Sequence, residues 1–241
     1  MYEAWLDVHP ESFKVKAIKK VEALNEVGSI KDYFGDSFSV SLYCRTESEF
    51  KNKLNLISRI CNSERVNWIR ASFPECQISL SNTDWRIIAS LQSNPWKSFT
   101  AASREVGVST RTVKRRVLKM AKSNTVFLLV DINPKAMKGA SFADLLVFYE
   151  DGEAGREADA RATERLDEMT IFKERGPNHC MFALQLENIS NVKEILQWIR
   201  NVSGVRDARL DILEDIILLR DARRVESGTR LNDMIIPAKK G

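Results

Sequence analysis

The 241-residue chain holds only two histidines and four cysteines, and no apolar run approaches the length that spans a bilayer. Each scarcity removes a class of function. Cys44, Cys61, Cys76 and Cys180 show neither CxxC nor comparable ligand spacing, and with only His9 and His179 to help them a zinc site is not expected, nor any other metal or cofactor. Buried free thiols are the better reading. The start, MYEAWLDVHP, lacks a basic stretch followed by an apolar one, so the expected location is the cytoplasm, with no membrane partner. What is present, 44% apolar and 29% charged residues, is the composition of ordinary globular domains.

Charge is unevenly placed. The whole chain carries a net +4, yet residues 97–122 hold eight basic residues and one acid, Glu105, so the remainder is net acidic. The same stretch has a helix break at Gly107-Val108-Ser109, where glycine supplies a positive φ after one helix and the serine hydroxyl caps the first free amides of the next. Phe99, Ala102 and Val106 before the break, and Val113, Val117 and Met120 after it, each form one stripe at helical spacing. Opposite the second stripe lie Thr110, Arg111, Lys114, Arg115 and Lys119. A basic face alone is most often a solvated surface, but turn, cap, stripe and charge together predict a helix-turn-helix that enters the major groove of duplex DNA. Base contacts are expected from Thr110, Arg111, Lys114 and Arg115, and phosphate contacts from Ser98, Arg104, Arg116, Lys119 and Lys122. The alternative for Arg116, which neighbours the inward Val117, is an ion pair with Glu105.

The rest of the chain predicts an α+β fold in which this three-helix, winged-helix-like unit is flanked by two ferredoxin-like βαββαβ domains. In the first copy Tyr2, Ala4, Leu6 and Val8 alternate, Phe13, Ala17, Val21 and Leu24 mark a helix closed by Gly28, and Ile30 to Phe34 is a strand. A turn at Gly35-Asp36 leads to the alternating Phe38, Val40, Leu42 and Cys44, a half-buried hairpin. Thr46 and Glu49 make a capping box before Phe50, Leu54, Ile57 and Cys61, and Val66 and Trp68 begin the closing strand. After a linker at 73–79, Leu80, Asp84, Ile87, Ile88 and Leu91 form the first helix of the DNA-binding unit. A strand follows at 125–132, then the second copy, with strands at 143–149, 169–173, 180–186 and 205–213 and helices at 155–166 and from Asn191. Ile216 to Leu219 has no place in this scheme, and the polar residues from Asp221 onward read as a mobile tail. The expected boundaries are 1–76, 77–124, a linker strand 125–140, 141–220 and the tail 221–241.

From Leu80 onward the sequence resembles the leucine-responsive and asparagine-synthase regulator (Lrp/AsnC) family. Leu80, Asp84, Ile87, Ile88 and Leu91 stand at its Leu-x3-Asp-x2-Ile-Leu-x2-Leu positions. Val106-Gly107-Val108-Ser109, Thr112-Val113 and Arg115-Arg116-Val117 are similar to its helix-turn-helix run, and DINPKAMKG at 131–139 to its linker. The resemblance covers about residues 80–213 and implies a DNA-binding transcription regulator whose second βαββαβ domain, of the RAM type, assembles copies and takes a small effector. Two departures stand out: a whole ferredoxin-like domain precedes the helix-turn-helix, and the family's Gly-x-Tyr-Asp turn appears as Gly35-Asp36-Ser37-Phe38 and Gly176-Pro177-Asn178-His179. No particular effector is therefore implied.

Two other functions compete. Some relatives of this architecture are haem-pathway decarboxylases, and His179 is the candidate imidazole in the second copy for such an enzyme. A protein-interaction adaptor would use both sheets and leave the basic helix incidental. The leading expectation is a regulator, not an enzyme, acting as a homo-oligomer. The apolar positions Cys180, Phe182, Leu184 and Leu186 offer a face for pairing between copies. The extra N-terminal domain either folds back on its own chain's C-terminal domain or adds an outside interface. The negligible identity between the copies favours the second.

Overall fold

The computed structural model describes residues 1–44, 46–63, 66–71, 78–126, 133–137, 139–176 and 178–219. The chain divides into two compact units, one made of residues 1–72 with 132–222, the other centred on 73–131.

The first unit contains both βαββαβ patterns. Its elements are β1 (Tyr2–Asp7), α1 (Lys14–Glu22), β2 (Val27–Tyr33), β3 (Ser37–Leu42), α2 (Glu47–Cys61) and β4 (Val66–Arg70) in the N-terminal half. The second unit supplies α3 (Asn82–Ser93), α4 (Phe99–Val106) and α5 (Thr110–Lys122). The C-terminal half of the first unit then has β5 (Ser141–Tyr149), α6 (Glu153–Leu166), β6 (Thr170–Arg175), β7 (His179–Leu186), α7 (Asn191–Arg200) and β8 (Val205–Leu218). The stripes anticipated for the first half are its core: Ala4, Leu6, Phe38, Val40 and Leu42 of the sheet meet Ala17, Val21, Phe50, Ile57 and Cys61 of the helices.

One detail of the first half differs from expectation. Gly28 does not close α1. The chain turns at Glu26, φ 64°, and Gly28 lies inside β2, where the Tyr43 ring would stand 2.0 Å from an added Cβ. Thr46 caps α2 by accepting from the Glu49 amide at 3.1 Å. The strand expected at 125–132, Cys76 and the tail 221–241 lie largely or wholly outside the described residues.

The larger difference is that the two halves share one antiparallel eight-stranded sheet, in the order β4-β1-β3-β2-β8-β5-β7-β6. The join is β8. Its first part pairs with β5, from Val205 opposite Tyr149 to Ile212 opposite Ala143. After a bulge, Leu213 to Leu218 pair with Tyr33 to Ser29 of β2. Ile216 to Leu219, which had no place in a lone βαββαβ domain, are thus the continuation of its last strand, and Ile217 and Leu219 pack on the core of the other half.

The sheet also curls, so that the faces turned away from the helices enclose a second core of Trp5, Tyr33 and Ile69 from one half with Leu146, Met181 and Ala183 from the other. Cys180, Phe182, Leu184 and Leu186 lie under α6 and α7 instead of forming a free face. The N-terminal domain therefore folds back on its own chain, the option that the sequence favoured less.

Burying both faces of an antiparallel sheet brings its polar alternates inside as well. Lys31 Nζ reaches Glu3 at 2.8 Å and Asp144 at 2.7 Å. The Tyr33 hydroxyl donates to Asp144 at 2.5 Å and accepts from the Trp5 indole at 3.2 Å. Burial opposes the Lys31 charge, but Asp144 and Glu3 outweigh it and hold the ammonium above the ordinary lysine value. Arg209 bridges Asp7 at 2.6 Å and Asp211 at 2.7 Å. The contacts of Lys31 and Tyr33 with Asp144, and of Arg209 with Asp7, join the two halves and fix one register between them.

Candidate nucleic-acid interface

The second unit is built on Ile87, Ala102, Val106, Val113 and Met120, with Leu80, Ile88, Leu91, Phe99 and Val117 packed around them. Each helix start is chemically marked. Ser81 and Asp84 form a reciprocal capping box on α3, Ser98 accepts from the Ala101 amide on α4, and Ser109 accepts from the Thr112 amide on α5. Between α4 and α5, Gly107 adopts φ 73° and ψ 35°, and its amide and that of Val108 both donate to the Ser103 carbonyl, at 2.9 and 3.2 Å. That Schellman-like closure needs a left-handed residue at this point.

α5 emerges with one buried side and one charged side. Val113 and Met120 face the core, while Thr110, Arg111, Lys114, Arg115, Lys119 and Lys122 are exposed. The Thr110 hydroxyl shares a 3.1 Å hydrogen bond with Ser103, which ties the start of α5 to α4. Ser98 spends its acceptor on the cap and keeps its hydroxyl hydrogen for a further partner. Arg104 is exposed on α4.

Two of the eight cations of this stretch are committed internally. Lys97 pairs with Glu105 at 2.7 Å, and that pairing, with a hydrogen bond from Ser90, holds the Glu105 carboxyl below its ordinary value. Arg116 was expected on phosphates, or else on Glu105. Its Nη1 donates instead to Asp84 at 2.9 Å and to Ser81 Oγ at 2.9 Å, so it locks α5 onto the capping box of α3. Burial would raise the Asp84 pKa, but hydrogen bonds from Ser81 and Arg116 outweigh it and hold it low. Arg104, Arg111, Lys114, Arg115, Lys119 and Lys122 have no ion pair among the described residues. Six cations therefore project from a unit whose described acids, Asp84 and Glu105, are already paired, which is the electrostatic footprint of a polyanion site.

His179 is used elsewhere. Its Nε2 lies 2.9 Å from the Trp68 carbonyl oxygen, clasping β7 to β4 across the curl of the sheet, and its ring stacks on Phe148 at 5.5 Å. Burial holds its pKa below the ordinary histidine value. A structural clasp of this kind is not a group poised over a substrate. Among the described residues no group of His, Cys, Asp or Glu is placed to hold a metal, and no helix is long and apolar enough to cross a membrane.

The geometry defines a helix-turn-helix of the DNA-reading class. Residues 80–121 match the AsnC-type helix-turn-helix domain, so the chain carries a DNA-binding domain of that type. No curated protein matches the chain. Similar solved structures include a transcriptional regulator of Neisseria meningitidis in complex with L-Met, 18% identical, covering 57% of this chain and 91% of its own with a TM-score of 0.46. Others are E. coli AsnC, 19% identical, 56% and 92% covered, TM-score 0.45, and the leucine response regulatory protein of Mycobacterium tuberculosis, 20% identical, 55% and 91% covered, TM-score 0.43.

Proposed function

We propose that the protein regulates transcription by sequence-specific binding, with α5 in the major groove. Thr110, Arg111, Lys114 and Arg115 meet base edges, and Ser98, Arg104, Lys119 and Lys122 meet phosphates. The observation that carries this reading is the exposed face of α5, whose cations have no ion pair among the described residues and stand opposite Val113 and Met120. Arg116 leaves the list of phosphate contacts, because it is held by Asp84 and Ser81.

The sheet supports a reading of the assembly as well. Homo-oligomerisation through paired sheets, the expectation from the family resemblance, would need an uncovered sheet face, and here one half of the chain covers the other. Each chain then presents one reading helix and is a single-chain particle in solution, with pairing of two chains left to adjacent half-sites on DNA. A small-molecule effector remains part of the proposal without a named chemistry.

The test is selection of bound fragments from genomic DNA, followed by light scattering with and without the selected operator. Enrichment of one motif, with a single-chain mass in the absence of DNA, is the expected result. Retention of all fragments alike would overturn sequence-specific reading, and a stable dimer mass without DNA would overturn the single-chain particle.

A further inference from the structure

The exposed face of α5 is not basic throughout. Leu118 lies seven residues after Arg111, four after Lys114, three after Arg115 and four before Lys122, so it stands in the row those cations form, opposite the buried Val113 and Met120. It is 56% exposed and is absent from the residues that make up the core of this unit. A lone surface leucine ordinarily needs no account. At this position it does, because lysine or arginine would serve the helix equally well and would add a phosphate contact, whereas leucine interrupts the charge at the middle of the groove-facing row.

Among the base-pair edges in the major groove, the one apolar feature is the thymine C5-methyl. We propose that Leu118 is a specificity-determining residue that packs against a thymine methyl, about one helical turn beyond the bases met by Arg111 and Lys114. This rests on the reading that α5 enters the major groove. Covering one methyl changes affinity by about fourfold, so Leu118 adds a preference for thymine at one position and little to binding of random DNA.

The test uses the full chain and the selected operator, with each thymine replaced in turn by deoxyuridine, which removes the methyl and leaves the hydrogen-bonding edge intact. Wild type is expected to lose about fourfold at one thymine. Leu118→Ala, with an unchanged melting temperature, is expected to bind the thymine and deoxyuridine operators equally and to keep the wild-type salt dependence. Arg111→Ala is expected to keep the thymine preference while losing discrimination at its own base. Leu118→Lys is expected to erase the thymine preference and to steepen the salt dependence by about one unit for all DNA. Wild type indifferent to every substitution, or a Leu118→Ala protein that keeps the thymine preference, would overturn the proposal while Arg111→Ala still upholds groove reading. If wild type selects no operator at all, groove reading itself fails and Leu118 falls with it.

Discussion

Arg116→Ala separates the two kinds of arginine on α5. In the native unit the Arg116 Nη1 donates to both Asp84 oxygens, at 2.9 and 3.0 Å, and to Ser81 Oγ at 2.9 Å. Asp84 is only 7% exposed. Removing the guanidinium leaves that carboxylate with its bonds from the Ser81 amide and hydroxyl, at 2.9 and 2.6 Å. Stranding a fully buried charge costs about 3–5 kcal/mol, but the Arg116 side chain is 31% exposed and Ser81 remains as a partner. A charge-assisted hydrogen bond of about 1.5–2 kcal/mol is therefore the applicable loss. For a small unit each kcal/mol corresponds to about 4–8 °C in melting temperature. Thermal unfolding followed by circular dichroism should show that drop, Asp84→Asn should show a similar one, and the double variant should lose less than the two together. Below the melting transition, Arg116→Ala should keep the wild-type order of preference among operator sequences. An Arg116→Ala protein with wild-type melting temperature and altered base preference would refute the assignment.

Four further outcomes are expected. Arg111→Ala and Lys114→Ala should each lose about 1–3 kcal/mol of discrimination between operator and random DNA, whereas Lys122→Ala should weaken both alike and lower the salt slope by about one, read by titration at several salt concentrations. Gly107→Val should destabilise the helix-turn-helix by about 1–3 kcal/mol through its positive φ alone, because an added Cβ meets nothing nearer than Arg86 at 3.9 Å; Gly107→Asn should lose much less, and equal melting temperatures would show the backbone strain to be absent. Lys31→Met should destabilise the sheet unit by about 3–5 kcal/mol in urea, since Glu3 and Asp144 are left buried without their cation, with Glu3→Gln and Asp144→Asn added together restoring part of the loss. Burial and the nearby Glu3 carboxylate, with Asp144 adding to them and Lys31 opposing, push Glu174 up to about 7; the folded state then holds this proton more tightly than the unfolded chain, so stability falls as pH rises from about 4 to about 7 and stays low above that, and Glu174→Gln should remove that part of the slope.

The helix-turn-helix was legible because its determinants are local. Gly107, Ser109 and the stripe through Val113 and Met120 act within a few residues of one another, and the structure places each as its spacing implies. Arg116 was misread for the same reason. Its partner Asp84 lies in another helix, and charge and periodicity along α5 do not distinguish a guanidinium facing water from one facing α3. The one available signal was Asp84 itself, an acid at the third position after Ser81, whose capping box leaves one carboxylate oxygen directed at the neighbouring helix. Gly28 was misread because glycine after a helix suggests a cap, whereas the requirement here is the Tyr43 ring lying against β2.

The joined sheet was not legible, and the physical reason lies in its polar alternates. Along β3 the pattern Phe38, Val40, Leu42 against Ser37, Ser39, Ser41 is what one half-exposed hairpin needs, yet all six residues are buried. Alternation reports that two faces differ, and it does not report that the polar face meets water. What covers that face is a set of partners more than a hundred residues away: Asp144 for Lys31 and Tyr33, and Asp211 for Ser37. The charges make this cover specific to its own chain. Without the C-terminal half, Lys31 loses Asp144, Asp7 loses Arg209, and Trp5, Tyr33 and Ile69 lose the apolar surface they pack on. The N-terminal half is thus one side of a single folded unit, and a perturbation that shifts β2 acts directly on β8 and so on β5. The chain satisfies its own sheet interior in this way, and on that ground we propose that the number of reading helices at an operator is set by the DNA sites and not by the sheet.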